Sequence, residues 1–228
     1  MVTKARLSPT YRLVSSRYPT VSVYDRIVDP SRFADVLEIE ALTNPRVREE
    51  AGAYYKIRAA DAIAGPGTTP IMASFAYSQA SRFCDGSYGV YYAGLEEATA
   101  VAESRFHTEA FLRATAQAPI DVDKRVYTAT VDGNFDDIRS LSMRSKLYNA
   151  DPQQYAYPQQ YARRLYERNR VDGILYNSVR NAGGACVVAF RPRVVSDCVL
   201  AKYVQFRWNG ERIIAAVDVV NIRQYPQG

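Results

Sequence analysis

The sequence has little histidine, and this shortage excludes several kinds of catalytic site. The 228 residues include a single histidine, so a metal centre with two or more histidine ligands cannot form. A serine or cysteine nucleophile activated by histidine is available only if His107 is the base. No apolar run reaches the roughly eighteen residues that a membrane-spanning helix needs. We therefore expect no membrane span and no multi-histidine metal enzyme.

Cysteine and lysine are also scarce. Three cysteines, at positions 84, 186 and 198, form no Cys-x-x-Cys pair, and the first residues lack the apolar core of a secretory signal. These features predict reduced thiols and a cytoplasmic protein. Only 5 of the 29 basic residues are lysine, which leaves 24 arginines and a net charge of +5. Arginine has a planar set of five donors that suits phosphates and carboxylates.

The basic residues are spread along the chain rather than gathered into a stripe. A short group stands at positions 163, 164, 168 and 170, where we interpret it as the solvated face of a helix. Direct nucleic-acid binding is therefore weakly supported. The Gly-rich segments AGPGTT and NAGGAC lack the endings of nucleotide-binding loops, and neither H-E-x-x-H nor G-x-S-x-G occurs. These absences exclude the common phosphate-loop, zinc-protease and hydrolase signatures.

Hydrophobic patterning predicts an α+β fold with strands and helices in mixed order. Strands are expected where β-branched and aromatic residues alternate or concentrate, at 11–16, 20–28, 71–77, 89–94, 124–133, 172–178, 185–192 and in a hairpin around Asn209-Gly210. Helices are expected at 31–42, 47–55, 95–117 and 157–170. In the third of these helices the predicted apolar face consists of Leu95, Ala98, Ala102, Phe106 and Ala110. We expect one domain over 1–228, with a variable helical segment at about 29–70.

Three motifs in a fixed order carry a family resemblance. They are S-R-F-x-D-G-S-Y-G-V-Y-Y-A from Ser81, A-x-A-E from Ala100, and D-G-I-L-Y-N-S-V-R-N-x-G-G-x-C-V-V-A-F-R-P from Asp172. Together they resemble the RES-domain family, which is named for its Arg, Glu and Ser. The resemblance runs from Tyr11-Arg12 to the 207–210 segment, nearly the whole chain. Cys84 and Gly94 depart from the usual family residues, and neither position carries the chemistry.

The resemblance implies a fold like the ADP-ribosyltransferase and diphtheria-toxin core. It also implies a bacterial toxin that consumes NAD by phosphorolysis or hydrolysis, with some members transferring ADP-ribose to a protein. The implied partner is a small helix-turn-helix (Xre-like) antitoxin that covers the active site. NAD would be the substrate rather than a bound cofactor, and inorganic phosphate a candidate co-substrate.

The family residues fall on specific positions of this chain. The resemblance assigns Arg82, Glu103 and Ser178 to catalysis, and Arg82, Tyr92, Arg12 and Ser178 to binding NAD. The residues themselves admit other interpretations: a solvent-facing Glu103, an Arg82 surface salt bridge, and a Tyr92 that packs in the core. Because β-strand side chains alternate, only one of Tyr91 and Tyr92 can line the site.

The residue types suit cleavage of the nicotinamide–ribose bond. The reaction expels a neutral leaving group and leaves positive charge on the sugar, which a carboxylate such as Glu103 would stabilise. We expect Ser178 to contact the substrate or hold Glu103, and not to act as a nucleophile. His107, four residues after Glu103, fits a supporting role, and Arg180 is a further candidate for the site. A nucleic-acid-binding module and a catalytically silent relative remain open, as does the acceptor: water, phosphate or a protein side chain.

Overall fold

The computed structural model describes residues 1–16, 57, 59–76 and 79–219. A seven-stranded mixed sheet and three α-helices make up most of this part of the chain. The strands are β1 (Val2–Ser15), β2 (Tyr91–Gly94), β3 (Ile120–Asp137), β4 (Gly173–Asn177), β5 (Ala185–Ala189), β6 (Val195–Trp208) and β7 (Ile213–Val219). The helices are α1 (Thr68–Ala76), α2 (Glu97–Ala114) and α3 (Ala156–Arg168). The predicted elements at 20–28, 31–42 and 47–55 lie outside the described residues.

The strands lie in the order β1-β2-β5-β4-β3-β6-β7, and β1 also pairs with β3. Five strands therefore close into a ring, while β6 and β7 extend the sheet beyond β3. The β3–β4 pair is parallel, and the other pairs are antiparallel. This mixture of strands and helices confirms the predicted α+β class. None of the helices in the described residues is long and apolar enough to cross a membrane.

The predicted hairpin at Asn209-Gly210 is confirmed. It joins β6 to β7, and the Asn209 side-chain oxygen accepts hydrogen bonds from the backbone N–H groups of Glu211 and Arg212. Gly210 has a φ of +98°, which glycine adopts without steric cost. Local turn chemistry was therefore sufficient to locate this connection.

The predicted strand at 71–77 is wrong, because the structure places α1 over most of that stretch. Ile71, Met72, Phe75 and Ala76 are buried, a spacing that matches one face of a helix rather than the alternation of a strand. Pro70 stands in the first turn, where its missing N–H costs nothing. A short apolar run does not distinguish a buried strand from a buried helix, and here α1 packs against β6 and β2.

Helix α2 is present as predicted, but a different face of it is buried. The buried side chains are Thr99, Ala100, Thr108 and Leu112, whereas the predicted face includes the exposed Ala98 and Ala110. Threonine can occupy a buried position when its hydroxyl is hydrogen-bonded. The Thr108 hydroxyl donates to the Ser104 carbonyl at 2.8 Å. This orientation turns Thr99 and Glu103 toward the end of β4.

The sheet separates two groups of buried apolar side chains. Tyr91 belongs to the group that includes Phe75 of α1, and Tyr92 packs against the group that includes Phe83 and Tyr176. The alternation predicted for neighbouring strand residues is therefore present at this pair. The phenol of Tyr92, rather than that of Tyr91, lies on the side of the sheet where Tyr176 is buried.

Candidate active site

Glu103 and Ser178 come together although 75 positions separate them in the sequence. Glu103 lies in the second turn of α2, and Ser178 directly follows the last residue of β4. The Ser178 hydroxyl donates a hydrogen bond of 2.6 Å to Glu103 Oε1. The fold therefore brings two of the predicted catalytic residues into direct contact.

The Ser178 hydroxyl is fully engaged in this structure. Its oxygen accepts hydrogen bonds from the backbone N–H groups of Arg180 and Asn181, both at 3.0 Å, while its proton is donated to Glu103. Among the described residues no imidazole contacts this hydroxyl. A serine nucleophile needs an adjacent base, so the arrangement favours a role in orienting the Glu103 carboxylate.

Residues 178–184 form a compact loop between β4 and β5, which we call the Ser178–Gly184 loop. Its ends are joined by a hydrogen bond from the Ser178 N–H to the Gly184 carbonyl at 2.8 Å. Inside it, the Gly184 N–H donates to the Asn181 carbonyl at 3.0 Å. The Asn181 side-chain amide then donates to the Thr99 hydroxyl at 2.9 Å. The loop is thus attached to α2 at two points, Thr99 and Glu103.

Tyr92 fastens the segment that carries Arg82. Its phenol oxygen accepts a hydrogen bond from the Phe83 N–H at 2.9 Å and lies 3.0 Å from the Ser81 hydroxyl. Burial raises the pKa of Tyr92, opposed by its hydrogen bonds with Ser81 and Phe83. The phenol is therefore neutral at physiological pH.

Arg82 is buried, so its interpretation as a surface salt bridge is wrong. Its Nη1 donates to the carbonyls of Leu147 at 3.2 Å and Asn149 at 2.6 Å, and its Nη2 donates to the Tyr155 hydroxyl at 3.1 Å. The guanidinium also lies 4.6 Å from the centre of the Tyr155 ring. Three of its five N–H donors are thus used within the protein. The predicted grip on the NAD diphosphate stays a prediction that depends on the other two.

Tyr176, which the sequence did not single out, is a buried residue of β4 close to the candidate site. Its pKa is raised chiefly by burial, next by Cys186 and then by Glu103, and it is lowered by Arg82. Tyr176 therefore lies within electrostatic reach of both Glu103 and Arg82. The signal that could have identified it is its position two residues before Ser178, since strand side chains two apart share a face.

His107 lies one turn beyond Glu103 on α2, and its ring is in edge contact with that of Phe106. The surrounding protein atoms lower the pKa of His107 by desolvation, and Arg180 and Arg82 lower it further, whereas Glu103 acts in the opposite direction. The ring is therefore neutral at pH 7. A neutral histidine beside the carboxylate fits a supporting role better than that of a charged acid.

Arg180 forms part of the same surface. Its guanidinium lies 3.3 Å from the centre of the ring of Phe106, which is three residues after Glu103 on α2. Its Nη2 donates to the Ala150 carbonyl. Arg82 binds carbonyls of the same segment, at Leu147 and Asn149. Two arginines from different parts of the chain thus hold one backbone segment beside Glu103.

Arg12 lies apart from the Glu103–Ser178 pair. Its Nη1 donates to the Tyr92 carbonyl at 2.9 Å, and its guanidinium lies 5.1 Å from the centre of the Tyr91 ring, on the other side of the sheet. Its Nε is buried without a hydrogen-bond partner, and desolvation lowers its pKa. In the described ranges no carboxylate forms an ion pair with it. The predicted contact between Arg12 and NAD stays a prediction.

Of the predicted residues, Glu103 and Ser178 are in direct contact, while Arg82, Tyr92 and Glu103 all lie within electrostatic reach of Tyr176. The described residues contain no group of three or more His, Cys, Asp or Glu side chains placed to hold a metal ion. What the site offers is a carboxylate held by a hydroxyl, a neutral phenol, and arginines with donors to spare. This combination can stabilise positive charge on a sugar and bind an anionic group next to it.

Comparisons with known proteins agree with the positions of these motifs. A family model described as the RES domain matches residues 53–209, a range that includes these four residues and excludes Arg12. An uncharacterized protein of Sinorhizobium fredii, y4oC, is 29% identical over 215 residues, which cover 89% of this chain and 84% of that protein. The crystal structure of the MbcT–MbcA toxin–antitoxin complex of M. tuberculosis is similar with a TM-score of 0.40 and 11% identity, over 96% of this chain and 86% of that one.

Proposed function

Because the chain belongs to the RES-domain family, we propose that it is an enzyme that cleaves the bond between nicotinamide and ribose in NAD. The observation that carries the proposal is the hydrogen bond of 2.6 Å from Ser178 to Glu103. It holds the Glu103 carboxylate in a fixed orientation. The same residues form the family motifs.

The proposed chemistry needs a carboxylate more than it needs a base. As the bond to nicotinamide breaks, positive charge develops on the ribose, and the bonding electrons leave with the neutral nicotinamide. Glu103 would face that charge and accept a hydrogen bond from a ribose hydroxyl. A preorganised group of this kind typically contributes about 10² to 10³ in rate. Ser178 would keep the carboxylate in place throughout.

The arginines are proposed to bind the diphosphate of NAD. Arg82 has two N–H donors beyond those that bind Leu147, Asn149 and Tyr155. Arg180 uses one N–H donor for the Ala150 carbonyl, and its guanidinium lies 3.3 Å from the centre of the Phe106 ring. Tyr92 would supply a ring face or its hydroxyl to the nicotinamide ribose. We also propose that Arg12, whose Nη1 donates to the Tyr92 carbonyl, contributes to NAD binding.

The wider proposal is a cytoplasmic toxin with an ADP-ribosyltransferase-like core that a small helix-turn-helix antitoxin of the Xre type neutralises. Its support is family membership. The partner would cover the surface formed by Glu103, Arg180 and the Ser178–Gly184 loop. A pull-down with this chain from cells that co-express a candidate helix-turn-helix protein would test this interaction, with an Arg180→Ala variant to test the proposed surface.

Product identification separates the reactions that this site could perform. The purified chain is incubated with NAD, with and without inorganic phosphate, and the products are identified by mass spectrometry. Phosphorolysis yields nicotinamide and phosphorylated ADP-ribose, whereas hydrolysis yields nicotinamide and free ADP-ribose. Transfer to a protein would instead label a band in a host lysate with the ADP-ribose of labelled NAD. Intact NAD in all of these incubations would contradict the proposed function.

A further inference from the structure

Two residues of α2 hold the Ser178–Gly184 loop from the same face of the helix. Thr99 and Glu103 are four positions apart, so their side chains lie one above the other. Thr99 accepts the side-chain amide of Asn181, and Glu103 accepts the Ser178 hydroxyl. Thr99 is fully buried, so the loop is attached to α2 at a point inside the protein. This attachment fixes the position of the loop along α2, one turn before the Glu103 carboxylate.

Asn181 connects Thr99 to the Ser178 hydroxyl through two hydrogen bonds. Its backbone N–H donates to the Ser178 oxygen at 3.0 Å, while its side-chain amide donates to Thr99 at 2.9 Å. Its carbonyl also accepts the Gly184 N–H. A displacement of Asn181 would therefore move the Ser178 oxygen relative to the carboxylate to which it is bonded.

The glycine at position 184 leaves room for this bond. A Cβ atom there would lie 2.3 Å from the Thr99 hydroxyl oxygen and 2.7 Å from the Asn181 amide nitrogen, which are the two atoms that the hydrogen bond joins. Gly183, the residue before it, has a φ of +80° that side chains rarely adopt. The lack of a side chain at Gly184 thus leaves space for the Asn181–Thr99 hydrogen bond, and Gly183 allows the backbone conformation that precedes it.

We propose that Asn181 is a positioning residue for NAD cleavage. Its amide fixes the Ser178–Gly184 loop against Thr99, and the loop in turn keeps the Ser178 hydroxyl bonded to Glu103. This inference rests on the proposed function and names a residue that acts through Ser178 rather than by touching NAD. Small displacements of a catalytic group cost up to about 100-fold in rate, which sets the size of the effect.

The test compares three variants in nicotinamide release. Thr99→Val has nearly the same shape and lacks the hydroxyl, Asn181→Ala lacks the amide, and Thr99→Ser keeps the acceptor. We expect the first two to lower kcat by about 10- to 100-fold with little change in KM. Thr99→Ser should stay within about threefold of the wild type, since the hydrogen bond survives. Thermal unfolding of each variant shows whether the fold is intact.

A crystal structure of the Asn181→Ala variant tests the inference without any turnover. We expect the Ser178 hydroxyl to move out of hydrogen-bond range of Glu103. An unchanged Ser178–Glu103 bond in that variant would overturn the inference, even if the wild type cleaves NAD. Wild-type kcat in folded Thr99→Val and Asn181→Ala, or an equal loss in Thr99→Ser, would overturn it as well. A wild-type protein that releases no nicotinamide would instead refute the proposed function. The crystal structure of the Asn181→Ala variant would then show by itself whether Asn181 positions the Ser178 hydroxyl.

Discussion

The Ser178 hydroxyl donates its proton to Glu103 across 2.6 Å, and this one bond joins the loop after β4 to the middle of α2. The hydroxyl oxygen is held in turn by two backbone N–H groups. A carboxylate that is oriented by an engaged hydroxyl is prepared to stabilise charge rather than to activate a nucleophile. The single histidine of the chain is therefore no obstacle to the proposed chemistry.

Replacing Ser178 tests whether it acts through Glu103. Ser178→Ala should lower the rate of nicotinamide release about 10-fold, because the carboxylate loses its orientation and keeps its charge. The double variant Ser178→Ala, Glu103→Gln should be no slower than Glu103→Gln alone, since residues that act as one unit are not additive. Effects that multiply in the double variant would show an independent role for Ser178. Steady-state kinetics on the four proteins decides between them.

His107 should influence stability below neutral pH and leave catalysis unchanged. Its pKa in the folded protein is below the unfolded value of 6.5, so the unfolded chain binds the proton more readily. This contribution to stability is present above pH 6.5 and is lost as the pH falls through the folded pKa. Urea unfolding at pH 7.5 and pH 5 should show a smaller acid-induced loss in His107→Gln than in the wild type. A tenfold loss of activity in His107→Gln at pH 7 would instead indicate general-base catalysis.

The buried Asp61 should be far more important for stability than the exposed arginine bonded to it. Asp61 lies 3.6 Å from the Nε of Arg191, whose side chain is only 2% exposed, and 2.9 Å from the Nη1 of Arg193, whose side chain is 50% exposed. Asp61→Ala leaves the Arg191 charge buried without its carboxylate and should cost about 3 to 5 kcal/mol of unfolding free energy. Arg193→Ala, the matched control, should cost roughly 1 kcal/mol or less. Chemical unfolding measures the free energy of unfolding of both variants. Equal losses would contradict the claim that the buried Asp61–Arg191 pair matters more than the exposed Asp61–Arg193 pair.

The three cysteines should be unreactive in the native protein. All three are buried and none forms a disulfide. Desolvation raises the pKa of Cys186 to about 12 and that of Cys198 to about 11, so little of the reactive thiolate is present on these two residues at pH 8. The complete burial of Cys84 keeps a reagent from reaching it. A thiol reagent should label no cysteine before denaturation and three afterwards. Rapid labelling of the native chain would show that this part of the fold opens.

Local chemistry made some elements predictable from the sequence. The Asn209-Gly210 turn depends on neighbouring residues, and the strand that ends at Gly94 has a strong local pattern of β-forming residues; both are present. The stretch from Ile71 was misassigned because its burial comes from packing against β6 and β2, which a short apolar run does not reveal. The buried face of α2 was missed because Thr99 finds its partner 82 positions away.

The same limit applies to the candidate site. The motif order pointed to Arg82, Tyr92, Glu103 and Ser178, and the fold brings Glu103 and Ser178 into direct contact. The sequence did not show that Arg82 is bonded to the carbonyls of Leu147 and Asn149, since that depends on long-range packing. Nor did it show that Arg12 contacts Tyr91, on the face of the sheet opposite the Tyr92 side chain. Side-chain direction, rather than residue identity, was the missing information.

Nicotinamide release from NAD by the wild type and by Glu103→Gln is the most direct test of this account. Glu97→Gln, on the same helix and ion-paired with Lys202 at 2.7 Å, is the matched control. We expect wild-type and Glu97→Gln proteins to release nicotinamide at similar rates, and Glu103→Gln to be slower by about 10² to 10³. Undiminished release by a folded Glu103→Gln protein would contradict the assignment of Glu103 as the catalytic carboxylate.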